Sequence, residues 1–100
     1  MIEQAEALTA QYPGAYVVWN ILGASRDEIG MPEEAIHALK KSVSLKPNYA
    51  DAYFNMGAAF QVQGKLDLSI EAYNKAVSIK PDYAEAFNNM GVALKDQGKL

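Results

Sequence analysis

The chain has no cysteine, one histidine and one tryptophan, and it contains no long apolar run. The missing cysteine removes disulfides, thiolate metal sites and cysteine nucleophiles together. The single histidine, His37, sits between Ile36 and Ala38 in a helical pattern and reads as a surface residue rather than a base or ligand. No stretch approaches the roughly 20 apolar residues that a membrane helix needs. Residues 1–11 are acidic and lack the apolar centre of a signal peptide. Nine basic residues against twelve acidic ones give a formal net charge of -3, without the clustered Lys and Arg of a nucleic-acid or anionic-membrane surface. The glycines are isolated, so there is no phosphate-binding loop, and Glu33-Glu34 is a pair of charges at a helix start rather than an acid and base in a cleft. No metal-ligand cluster stands out. The expectation is a non-enzymatic cytoplasmic chain with no cofactor and no metal.

What the chain does have is a period. Half of its residues are hydrophobic and 21% are charged, the balance of a folded domain. Lys46-Pro-Asn-Tyr-Ala-Asp-Ala-Tyr-Phe-Asn-Met-Gly57 returns as Lys80-Pro-Asp-Tyr-Ala-Glu-Ala-Phe-Asn-Asn-Met-Gly91, with eight of twelve positions identical. Gly23, Gly57 and Gly91 share the offset from Lys46 to Lys80, as do Gly30, Gly64 and Gly98, Pro13, Pro47 and Pro81, and Trp19, Tyr53 and Phe87. A fixed period of this size signals a solenoid. Ala52, Tyr53, Met56, Ala59 and Phe60 form one helical face; Leu66, Ile70, Tyr73, Ala76 and Val77 form the next, after a turn at Gln63-Gly64-Lys65. Pro81 stops the second helix. Asn48 with Asp51, and Asp82 with Glu85, have the spacing of capping boxes, and Pro32-Glu33-Glu34 suits a helix start. The expected helices are 2–11, two hairpins at 15–45 and 49–79, and a last helix at 83–97.

These residues resemble the tetratricopeptide repeat, whose pattern is W-x2-L-G-x2-Y, then A-x3-F, then P. The units read Trp19-x2-Leu22-Gly23-x2-Arg26, Ala35-x3-Leu39, Pro47; then Tyr53-x2-Met56-Gly57-x2-Phe60, Ser69-x3-Tyr73, Pro81; then Phe87-x2-Met90-Gly91-x2-Leu94. The resemblance implies an all-α fold, an α-solenoid of antiparallel helix hairpins in a right-handed superhelix. The implied organisation is the second helix of a degenerate repeat at 1–14, full units at 15–48 and 49–82, and the first helix of a truncated unit at 83–100. The large residue of each unit fills the hairpin, and its glycine admits a neighbouring helix. Arg26 departs from the aromatic pattern; it either lays its stem along the apolar seam or pairs with Asp27 or Glu28. Residues 83–97 lack a partner helix, so the chain is either part of a longer array or hides Phe87, Met90 and Leu94 against another copy.

The resemblance further implies a concave groove lined by first helices, where partners bind. By position it holds Asn20, Ile21 and Ala24, then Asp51, Phe54, Asn55, Ala58 and Val62, then Glu85, Asn88, Asn89 and Val92. Asn55 and Asn89 form a short amide ladder able to hold a peptide backbone, similar to that of O-linked N-acetylglucosamine transferase; Ile21 interrupts it. Ala24, Asp51 and Glu85 stand where the family's carboxylate clamp has other residues, so a neutral or basic peptide is the expected partner. Phe54 either faces the groove as an anchor or packs on the next helix. The expected function is a protein-interaction scaffold for an extended peptide or helix. Two alternatives are the substrate-recruiting region of a larger glycosyltransferase or sulfotransferase, as in bacterial chains with similar repeats, and self-assembly through open end helices.

Overall fold

Apolar residues at helical spacing, punctuated by glycine turns, produce helices that lie against their sequence neighbours. The computed structural model describes residues 2–98, which form α1 (Ile2–Gln11), α2 (Tyr16–Glu28), α3 (Pro32–Leu45), α4 (Ala50–Val62), α5 (Leu66–Ile79) and α6 (Ala84–Asp96). Each lies within one residue of the span read from the period. Helices α2 and α3 form one hairpin, α4 and α5 the next, and each hairpin packs on its neighbour to give a body of 44 × 26 × 18 Å. Gly30 and Gly64 turn the hairpins at φ of 80° and 74°, a left-handed conformation that only glycine adopts freely. Pro32 occupies the first turn of α3, where its missing N–H costs nothing.

The helix starts differ from the capping boxes expected at Asn48 and Asp82. The N-cap residues are Tyr49 and Tyr83, and neither makes a side-chain cap bond. Each helix begins one residue later than a box would require, and the tyrosine hydroxyls there bond to residues of the preceding hairpin.

The core is shallow and repeated. Gly23 lies so close to Leu39 that an added Cβ would come within 2.5 Å of its Cγ; at Gly57 the Tyr73 ring would be 2.6 Å away. Leu39 and Tyr73 are fully buried by these approaches. The fully buried hydroxyls of Ser42 and Ser69 tie the same hairpins by donating to Tyr16 O and Gly57 O at 2.8 Å each. Trp19 packs over Ala5, Leu22 and Ala38, and Tyr53 joins the clusters around Met56 and Tyr73. Arg26 pairs with neither Asp27 nor Glu28. It spans to α1, meeting Glu6 at 3.3 Å, and donates to Glu34 O of α3 at 3.3 Å. Sequence neighbours on a helix point apart, so the acid it meets belongs to a different helix.

Candidate interaction face

Helices α2, α4 and α6 lie side by side, and their common register brings one face of each to a shared surface. Positions 51, 55, 58 and 62 of α4 fall along one stripe, with 17, 21, 24 and 28 before them and 85, 89, 92 and 96 after them. This surface contains the residues expected to meet a peptide.

Those residues fall into two groups. Asn20, Asp51, Phe54 and Asn55 tie neighbouring repeats together. The Asn55 amide donates to Asn20 Oδ1 at 2.9 Å, and the buried Asn20 amide donates in turn to Tyr49 Oη at 3.4 Å. Asn55 thus turns toward Asn20, whose buried carbonyl needs a donor. Tyr83 Oη donates to Asp51 Oδ1 at 2.8 Å. Phe54 takes the second of its two expected settings: it stacks on Tyr83 at 5.1 Å and tilts against Tyr73 at 5.8 Å. The remaining residues lie on α6, where Glu85 and Asn88 are exposed and Asn89 is half-buried.

Between and beyond these polar groups the surface is apolar. Ile21, Val62 and Val92 are 47%, 64% and 46% exposed. Val17, in the same stripe, was not among the residues singled out from the sequence, though its offset from Asp51 and Glu85 places it there. Asp51, Glu85 and Asp96 make the surroundings acidic. Burial raises the Tyr83 phenol well above its ordinary pKa, helped by its hydrogen bond to Asp51 and by the charges of Asp51 and Glu85. Tyr49 is raised by burial and then by Asp51, against the hydrogen bond from Asn20. Asp27 is raised by burial and then by Glu28, and its Oδ1 is buried without a hydrogen-bond partner. The Tyr49 and Tyr83 phenols are thus favoured in their neutral form beside Asp51. Among the described residues no group of His, Cys, Asp or Glu is placed to hold a metal ion, and no helix is long and apolar enough to cross a membrane.

Stacked hairpins with first helices on one side and second helices on the other define a helical-repeat solenoid. The family profile for the TPR repeat matches residues 29–64 and 62–98, and the chain belongs to the tetratricopeptide-repeat family, whose modules are protein-interaction scaffolds. No curated protein sequence matches. Two crystal structures of MamA align at a TM-score of 0.91 and 33% identity over 98% of this chain. The chain spans only 54% and 57% of those two proteins. The first TPR of Spaghetti (RPAP3), bound to the HSP90 peptide SRMEEVD, aligns at a TM-score of 0.93 and 20% identity, over 97% of this chain and 77% of that one. That likeness is one of fold.

Proposed function

We propose that the face of α2, α4 and α6 binds an extended, neutral or basic peptide segment of a partner protein. Asn20, Asp51, Phe54 and Asn55 build its floor, and Glu85, Asn88 and Asn89 meet the ligand. The observation that carries this reading is the mixture of exposed Ile21, Val62 and Val92 with the carboxylates of Asp51, Glu85 and Asp96. Apolar anchors supply affinity, and carboxylates select against an acidic ligand. The exposed amide of Asn88 can both donate to and accept from a peptide backbone.

The test is an NMR titration of the labelled chain with two short extended peptides, one lysine-rich and one acidic, SRMEEVD. The basic peptide is expected to shift Ile21, Asn88 and Val92, and Glu85→Lys is expected to weaken it. Equal or tighter binding of SRMEEVD, or shifts confined to other surfaces, would overturn the proposal.

A second reading, self-association through α6, is supported by its uncovered side. Phe87 is 48% exposed, and a Cβ added at Gly91 would meet nothing within 4 Å. At Gly23 and Gly57 that space is filled by Leu39 and Tyr73.

A further inference from the structure

On the far side of α4 from this face, a cleft of about 880 Å³ opens between α3 and α5. Its floor is Tyr53, Met56 and Phe60 of α4, and its walls carry Ile36 and Lys40 on one side, Leu68 and Lys75 on the other. The volume lies in the range of about 300–1,000 Å³ typical of ligand sites. The α5 wall runs from Leu68 to Ser78, about 15 Å or three helical turns. Leu68 is 43% exposed, and Lys75 Nζ lies 5.9 Å above the Tyr53 ring.

The preceding interval of the array shows what occupies this register elsewhere. Between α1 and α3, Arg26 reaches across to Glu6 Oε2 and to Glu34 O, latching the two second helices over α2. Advancing Arg26, Glu6 and Glu34 by one repeat gives Phe60, Lys40 and Leu68. All three line the cleft. The Arg26–Glu6 ion pair has therefore been replaced by an apolar floor and an exposed cation; Glu34 takes part through its backbone carbonyl, and Leu68 at its position adds an exposed apolar wall. Lys65 and Lys75 add positive charge to the rim, against Glu33 and Glu71. In a chain with a net charge of -3 and an acidic first-helix face, this is a locally basic, apolar-floored groove.

We propose that the α3–α5 cleft is a second protein-docking site, which takes a short amphipathic helix bearing apolar anchors flanked by carboxylates. The anchors seat on Phe60, Met56 and Leu68, while the carboxylates meet Lys40 and Lys75 and so restore the ion pair that Arg26 and Glu6 make in the first interval. A groove walled by two helices receives a third through anchors at i, i+3 and i+7. The site is independent of the α2–α4–α6 face, so either can fail alone.

The probe is a roughly 14-residue helical peptide with leucines at that spacing and glutamate flanks, beside a version with lysine flanks. NMR titration of the whole chain is expected to shift Lys40, Leu68 and Lys75 with the glutamate peptide, and binding should weaken as salt rises. Leu68→Glu, an exposed position, is expected to weaken binding about tenfold or more while leaving the melting temperature unchanged. Phe60→Arg with Lys40→Glu, which rebuilds the first-interval latch, is expected to abolish it. The proposal is overturned if Leu68→Glu binds as the parent does, or if the lysine peptide binds equally well. It is overturned too if the shifts map to α2, α4 and α6, or if the cleft signals respond to protein concentration alone, which would make the occupant a second copy.

Discussion

Gly23, Gly57 and Gly91 share one register, but the space beside them differs. An alanine at Gly57 gains about 1 kcal/mol of helix propensity and loses about 1–3 kcal/mol to overpacking, because the Tyr73 ring beside it is fully buried and has nowhere to move. At Gly91 the same change meets open space. Gly57→Ala is therefore expected to lower the melting temperature and Gly91→Ala to raise it, by about 1 kcal/mol in the second case. Thermal melts of the two variants check the pair; a shift of the same sign in both would refute the packing account. The close-packing roles of Gly23 and Gly57 were legible in the sequence because the period sets each in register with a large residue, Leu39 or Tyr73, of the following helix. The partner of Arg26 was not, since Glu6 belongs to the preceding helix and only the packing of α1 on α2 brings it near. Phe54 was open between two settings for a similar reason: its register allows both, and the arrival of Tyr83 decides.

Helices in this chain are held more by cross-hairpin ties than by their own ends. Five of them, α2 to α6, start without a side-chain cap bond. The tie from Tyr83 to Asp51 replaces a cap with a link between α6 and α4. Because the folded state raises the Tyr83 pKa above its ordinary 10.0, the neutral phenol is the form that folding favours. Its contribution is complete below pH 10.0 and is lost as pH rises toward the elevated folded value. Melting temperatures measured at pH 9 and pH 11 should therefore fall more for the parent than for Tyr83→Phe. Equal falls would show that this phenol does not couple to folding. The boundaries of the helices could be read to within a residue because glycine, proline and the apolar period all agree there. Their caps could not, because a capping box is a local signal and a hydroxyl reaching the next hairpin is a distant one.

For the whole molecule, the uncovered side of α6 is the feature with the plainest consequence. Phe87 is 48% exposed and, among the described residues, nothing lies within 4 Å of a Cβ added at Gly91, whereas Met90 packs against the Tyr73 cluster. Light scattering at several concentrations is expected to show reversible association that Phe87→Asp abolishes; a strictly monomeric parent would remove the self-association reading. The solenoid and its first-helix face were visible from the repeat alone. The α3–α5 cleft was not, because it depends on Phe60 and Lys40 standing where Arg26 and Glu6 form an ion pair, which matters only once α1, α3 and α5 are aligned in space.

Several side-chain ties between repeats run along the first helices. Asn55 to Asn20, Tyr83 to Asp51 and Phe54 on Tyr83 join neighbouring hairpins along the first helices, whereas among the described residues α3 and α5 make no direct approach across α4. Mechanically, the interval between the two full hairpins carries the Asn55–Asn20 bond on its first-helix side and, among the described residues, no α3–α5 approach on the other. Bending that closes the cleft breaks no α3–α5 contact, while bending that opens the first-helix face there must break the Asn55–Asn20 bond. A load applied along the array would pass through the packing of α3 on α4 and of α5 on α6 as well as through these ties, and the cleft side has the fewest side-chain bonds to lose.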